Sequence, residues 1–298
     1  VDLATKAGAH ITGMAPVLEP ITPAYLAGPL PADILDQARK SAEETADKAL
    51  ATFNEVMRVQ GVNGEASRFR FVEGAASGLV NRVRMSDLAV IGQDTPNSTE
   101  PGRAALIEAL LFETGVPVMV VPYISKGTFD AKHLMVAWDG SVTASRAVHA
   151  ALPLMKLAQK ITVVIADNGK RYFGEPGADV ALYLSRHGLT VSIDHIPAPS
   201  GDVAAALLNY VSDQGVDIAV MGGYGHSRFR EFVDDHRGEF GEFLLASRCM
   251  DAEDARIGKA PVEGVDRVAE AAPFAHLLEQ PRGHAAAEDQ RQHLRGVE

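Results

Sequence analysis

Three glycines and three hydrogen-bond donors stand together in VMGGYGHSR: Gly222, Gly223 and Gly225 are followed at once by His226, Ser227 and Arg228. Glycines permit positive φ and close approach to the backbone, and the imidazole, hydroxyl and guanidinium can donate. Ile218 to Gly222, just ahead, is a short, mostly apolar run of the kind buried on both faces of a parallel sheet, and a basic, helix-compatible segment follows. Where such a strand hands over to a helix through glycines, unpaired N–H groups point at whatever lies over the strand end, and a phosphate suits them. A tight turn with no ligand is the other reading of the same residues, because short motifs match by chance.

Asp139, Gly140 and Ser141 form a second constellation, directly after the apolar run His133 to Trp138. In open parallel sheets ligands sit beyond the carboxyl ends of strands where strand order reverses, so Asp139 and the Gly222 to Ser227 loop can share one crevice. An aspartate here can also simply cap the next helix. Trp138 reads as core packing. Other chemistry finds little support. The ten histidines are scattered without ligand spacing, which predicts no metal site of the protein's own. A Ser-His-Asp triad lacks its G-x-S-x-G elbow, and no general base stands at a spacing suited to nucleotide hydrolysis. No catalytic residue is assigned, and weak ATP hydrolysis is the most that enzyme chemistry is expected to amount to.

The elements that must position these residues come from the rest of the chain. Its 298 residues, 46% apolar, suit two domains with real cores, and a net charge of -11 argues against nucleic acid as a partner. The single cysteine, Cys249, makes an intramolecular disulfide impossible and is compatible with a reducing cytoplasm. No apolar run is long enough for a membrane helix. Opening at Val1 without a methionine, the chain reads as a fragment.

Strand and helix patterns alternate throughout, which signals βαβ units and a parallel sheet. Val1 to Gly8 looks like the end of a helix, His10 to Val17 a strand, Ala32 to Gln60 a long amphipathic helix, and Arg68 to Val72 a strand near a sheet edge. Helices are expected at Gly74 to Arg84 and Arg103 to Thr114, and strands at Asp87 to Gly92 and Val116 to Val121. After a linker the pattern begins again: strands at His133 to Trp138, Ile161 to Ala166, Thr190 to His195 and Ile218 to Gly222 alternate with helices at Ser141 to Leu157, Gly177 to Gly188 and Asp202 to Gln214. SDLAVIGQ at Ser86 to Gln93 lines up with VDIAVMGG at Val216 to Gly223, so the halves repeat one unit. The first copy has no counterpart of His133 to Trp138, which predicts an incomplete sheet with an exposed apolar seam. Past Val233 no strand comparable to VPVMVV is evident; Glu242 to Ser247 reads as helical, and the rest has the composition of a loosely ordered tail.

Over roughly Val1 to Val233 the chain resembles a tandem universal stress protein. ATP-binding members of that family carry Gly-x2-Gly-x9-Gly-Ser/Thr after the fourth strand and an aspartate at the end of the first; Gly222 and Gly225 match the first half of the motif, and Asp139, Gly140 and Ser141 match the second feature. The family's Gly-Ser/Thr falls on Asp235 and His236, a departure that sets a carboxylate where phosphate would meet a hydroxyl. In the first copy Gly92 is followed by Gln93, so no nucleotide is expected there.

The resemblance implies α/β architecture with two tandem open parallel-sheet domains of Rossmann-like type, helices on both faces. The domains are expected at 1–124 and 133–233, with a linker at 125–132 and a divergent tail at 234–298. It also implies ATP or a related adenine nucleotide, with magnesium accompanying it, held by Asp139, Gly140, Ser141, Gly222, Gly223, Gly225, His226 and Ser227. Asp139 would accept from the adenine or ribose, while the glycine loop held phosphates. The expected role is a regulatory protein of the stress response, with self-association through domain pairing. The alternative is a scaffold whose nucleotide sites have decayed.

Overall fold

The computed structural model describes residues 1–19, 31–72, 76–93, 102–123, 129, 131–167, 169, 174–198 and 202–223, and the backbone of a strand at Phe243–Ser247. In chain order its first half holds α1 (Asp2–Ala7), β1 (Ile11–Leu18), α2 (Ala32–Gln60), β2 (Gly64–Phe71), α3 (Ser77–Val83), β3 (Ala89–Gly92), α4 (Arg103–Glu113) and β4 (Val118–Val121). The second half holds β5 (His133–Ala137), α5 (Val142–Met155), β6 (Lys160–Asp167), α6 (Ala178–Arg186), β7 (Val191–Pro197), α7 (Val203–Gln214), β8 (Ile218–Gly222) and β9 (Phe243–Ser247). This is the alternating α/β architecture expected from the apolar periodicities.

Strands that are apolar on both faces go to the middle. A seven-stranded sheet runs β3-β4-β9-β8-β5-β6-β7, with β5 paired parallel to β6 on one side and to β8 on the other. Leu134 and Val136 point into one core with Ala147, Val148, Ala151 and Met155 of α5, and with Val180 and Leu184 of α6. Met135 joins a second core with Leu207, Leu208 and Val211 of α7, which extends to α3 and α4. Helices therefore cover both faces, as parallel strands require. Trp138 is buried in the first of these cores, the packing role expected of it.

Three features differ from the sequence reading. Phe243–Ser247 is a strand, not the helix expected at Glu242 to Ser247: it pairs parallel with β8 and antiparallel with β4. Leu and Ala are good helix formers, but intrinsic propensity is worth only tenths of a kcal/mol per residue, about 0.7 at most for ordinary residues, and ladder bonds on both edges outweigh it. The stretch 234–298 therefore holds the strand that the repeat requires; its remaining residues, Asp235, His236 and Cys249 among them, lie outside the described residues. The β4–β9 pairing also joins the strands of both halves into one sheet, where the repeat suggested a sheet for each. Most of the expected linker, 125–128 and 130, lies outside the described residues. The third difference concerns α2: it covers β1 and β2, with Ala46 packed on Ala15 and Val17, but Ile34 of its apolar stripe stays exposed.

β1 and β2 form a separate two-stranded parallel sheet, so the first half is divided between β1 and β3. The division falls where a counterpart of β5 would lie, and an incomplete sheet was expected for that reason. Both parts share a core: Phe69 and Phe71 of β2 pack with Leu79 and Val80 of α3 and with Ala89 of β3.

A buried polar cluster ties the start of β5 to its neighbours. The His133 backbone N donates to Asp217 Oδ2 at 2.7 Å. Its ring Nδ1 lies 3.2 Å from the Gln214 carbonyl and Nε2 2.9 Å from Thr162 Oγ1. A carbonyl only accepts, so Nδ1 carries the proton and neutral Nε2 accepts from the threonine hydroxyl. Burial, the largest influence, holds the His133 pKa below the usual histidine value; Lys160 adds to this, while the Gln214 carbonyl, Asp217 and Asp194 oppose it. Nearby, Tyr210 donates to Asp194 Oδ2 at 2.5 Å, and burial followed by that carboxylate pushes its phenol up to about 12.

Two outcomes are expected. A histidine whose folded pKa is depressed binds fewer protons folded than unfolded, so stability is fully present above the unfolded pKa of about 6.5 and falls as pH drops below it. Denaturant unfolding at pH 7.5 and 5.5 should show this loss, and His133→Gln should flatten the slope; an unchanged slope would mean that other groups carry it. Leu134, 0% exposed, should cost about 2 to 5 kcal/mol as Leu134→Ala, read as a shift in the unfolding midpoint.

Candidate functional site

The carboxyl ends of β5 and β8 meet at the point where strand order reverses. From β5 the chain steps outward through β6 to β7, then β8 returns to the other side of β5 and β9 continues away from it. The last register pair between them is Val136↔Val220, and three residues further along each chain stand Asp139 and Gly223. Two of the sequence-derived groups are thus brought to one end of neighbouring strands.

Local hydrogen bonds shape the β5 to α5 turn. Asp139 Oδ1 accepts from the Ser141 backbone N at 2.9 Å, closing a turn in which Gly140 takes φ 72°. The capping role considered for Asp139 belongs to Ser141: its Oγ accepts from Ala144 N at 3.1 Å and lies 3.0 Å from Thr143 Oγ1. A helix start has orphan N–H groups and a partial positive charge, and the Asp139 carboxylate sits beside both.

Gly222 is needed for contact with that helix start. A Cβ there would lie 2.7 Å from both Thr143 C and Ala144 N, and 2.8 Å from Thr143 Oγ1. The end of β8 and the first turn of α5 are therefore in direct backbone contact, which brings the Thr143 hydroxyl to the crevice. Sequence reasoning passed over Thr143; its place in the first turn after Asp139-Gly140-Ser141 is the signal that could have found it. Gly223 is buried just beyond. Gly225, His226 and Ser227 lie outside the described residues.

The equivalent end of β3 is built differently. Gly92 leads to a buried Gln93, and the Arg103 guanidinium approaches to 3.4 Å of the position a Gly92 Cβ would take. An arginine side chain, invisible to the motif comparison, thus fills space beside the first-half glycine. Among the described residues no group of three or more His, Cys, Asp or Glu could hold a metal ion, and no helix is long and apolar enough to cross a membrane.

No known family profile matches the chain, and neither does any curated protein sequence. Solved structures do. A universal stress protein from Archaeoglobus fulgidus superimposes with a TM-score of 0.55 over 83% of this chain and 91% of that one, at 14% identity. The fold is that of a universal stress protein. A putative universal stress protein from Pseudomonas aeruginosa gives a TM-score of 0.42 at 12% identity, covering 80% of this chain and 92% of its own. A universal stress protein family member from Arabidopsis thaliana, solved with AMP bound, gives 0.29 at 14%, covering 41% and 94%. At these identities the likeness establishes the universal stress protein fold alone, and the chemistry has to be argued from this chain's own residues.

The contacts at the strand ends have separable costs. Gly222→Ala should destabilise by about 1 to 3 kcal/mol, because the methyl meets backbone that cannot step aside. Ser141→Ala should cost about 1 kcal/mol, the worth of a helix cap. Thermal unfolding of both variants checks the order; Gly222→Ala as stable as the parent would mean that the β8 end and α5 are not in contact.

Proposed function

We propose that the second half binds ATP or a related adenine nucleotide, with magnesium carried on the phosphates, as a regulatory module of the stress response. The observation that carries this reading is the meeting of Asp139 and Gly222-Gly223 at the β5/β8 switch point, the place in open parallel sheets where ligands bind. Asp139 and the start of α5 supply an acceptor and a hydroxyl-lined floor. Gly222 and Gly223 lead into the stretch Gly225, His226 and Ser227, whose residue types suit phosphate. The Asp235 carboxylate weakens the site by like charge.

A scaffold without nucleotide is the second reading, and the β4–β9 pairing favours it: it already ties β3 and β4 of the first half into the sheet of the second, an arrangement with structural worth of its own. Pairing of this kind also fits a protein that self-associates.

Titration calorimetry with ATP, with and without magnesium, separates the two. Gly225→Val should abolish binding by blocking backbone approach. Asp235→Gly combined with His236→Ser should tighten it by about 1 to 2 kcal/mol, the worth of one or two charge-assisted contacts. No heat from the parent chain, or ATP affinity indifferent to Gly225→Val, would leave the scaffold reading standing.

A further inference from the structure

Threonines in helices commonly donate their hydroxyl proton back to the helix itself. Among the described residues Thr5, Thr45, Thr52 and Thr114 each donate to the carbonyl four residues earlier. Thr143, the second residue of α5, does not. Its Oγ1 lies 3.0 Å from Ser141 Oγ, which in turn accepts from Ala144 N at 3.1 Å. Two hydroxyls bring two protons, and the contact between them uses one. Neither hydroxyl makes a further bond among the described residues, so the pair keeps one proton to donate.

Contact with β8 fixes where that proton is offered. Thr143 Oγ1 lies 2.8 Å from the position a Gly222 Cβ would take, so the hydroxyl occupies space that a side chain at the end of β8 would fill. Thr143 is half-buried there, between exposed Val142 and buried Ala144. Asp139 closes the same turn, its Oδ1 accepting from Ser141 N at 2.9 Å. A hydroxyl donor and a carboxylate thus share the carboxyl ends of β5 and β8.

We propose that Thr143 is a specificity-determining residue of the nucleotide site, its Oγ1 donating to a hydroxyl oxygen of the ribose; the inference rests on the nucleotide reading above. Charge decides between the oxygens a nucleotide offers. A phosphate oxygen on Thr143 would sit beside the Asp139 carboxylate and be repelled by like charge. A ribose hydroxyl is neutral; it accepts from the threonine and keeps its own proton for a carboxylate. The glycine loop beyond Gly223 is left to the phosphates, and Thr143 makes the site prefer a ligand with an intact ribose.

The test is titration calorimetry on the full chain with ATP, 2′,3′-dideoxy-ATP and adenosine. Thr143→Val, which keeps the shape and removes the hydroxyl, should weaken ATP and adenosine by about three- to tenfold, the worth of one hydrogen bond. Its affinity for dideoxy-ATP should equal the parent's, which also shows that the variant site is folded. Thr143→Ser should restore the parent's preference for ATP over dideoxy-ATP. Equal weakening of ATP and dideoxy-ATP would mean that Thr143 shapes the floor or meets the base, and would overturn the proposal. A loss seen with ATP and absent with adenosine would place the hydroxyl on phosphate and overturn it too. If the parent binds ATP and Gly225→Val abolishes that binding while Thr143→Val changes no ratio, the nucleotide reading stands and this inference alone fails. If the parent binds none of the three ligands, the nucleotide reading fails and this inference with it.

Discussion

A strand buried on both faces has nowhere to send its backbone polar groups except to strands on either side. β5 is that strand, and most of the second half follows from it. Each unpaired N–H or C=O at this depth would cost about 1 to 3 kcal/mol, so β6 and β8 must both lie alongside. Parallel neighbours need crossover helices, and those helices supply the apolar cover that makes the burial worthwhile. Where the same position lacks a described strand, in the first half, the sheet divides into β1-β2 and β3-β4, and a valine that would be core stands exposed.

The candidate site is a by-product of the same constraint. Strand order must reverse beside β5 because β6 and β8 flank it, and a reversal leaves a crevice at the carboxyl ends. What is particular to this chain is how tightly the crevice is closed underneath. Gly222 lets the end of β8 touch the first turn of α5, Ser141 caps that turn, and Asp139 closes the one before it. The carboxylate is thus held in place by structure before any ligand arrives, which favours preorganisation over adaptability.

The joining of the halves rests on a different interaction. β9 accepts β8 on one edge and β4 on the other, parallel in one direction and antiparallel in the other, so that neither half ends in an open edge at this seam. Closing that edge removes a template for aggregation and fixes β3 and β4 of the first copy in the sheet of the second.

The amino-acid sequence alone determined the elements whose apolar period is strong. Ala32–Gln60 shows a helical stripe with polar residues opposite, and Ile218–Gly222 and His133–Ala137 are runs too apolar for any surface; their identity and near-exact limits, and the repeat relating Ser86 to Gln93 with Val216 to Gly223, come from spacing within a few turns of chain. The same local chemistry pointed to Asp139 and Gly222 as neighbours at strand ends. Tertiary structure decided the rest. FLLAS is helix-compatible by propensity and becomes a strand because β8 and β4 offer it ladders on both sides, partners that lie far away in sequence. Ser141 rather than Asp139 caps α5, Arg103 rather than a ligand group fills space beside Gly92, and β3 and β4 join the sheet of the second half while β1 and β2 stay apart, because pairing and close approach depend on which backbones meet, and periodicity along a single segment carries no record of that.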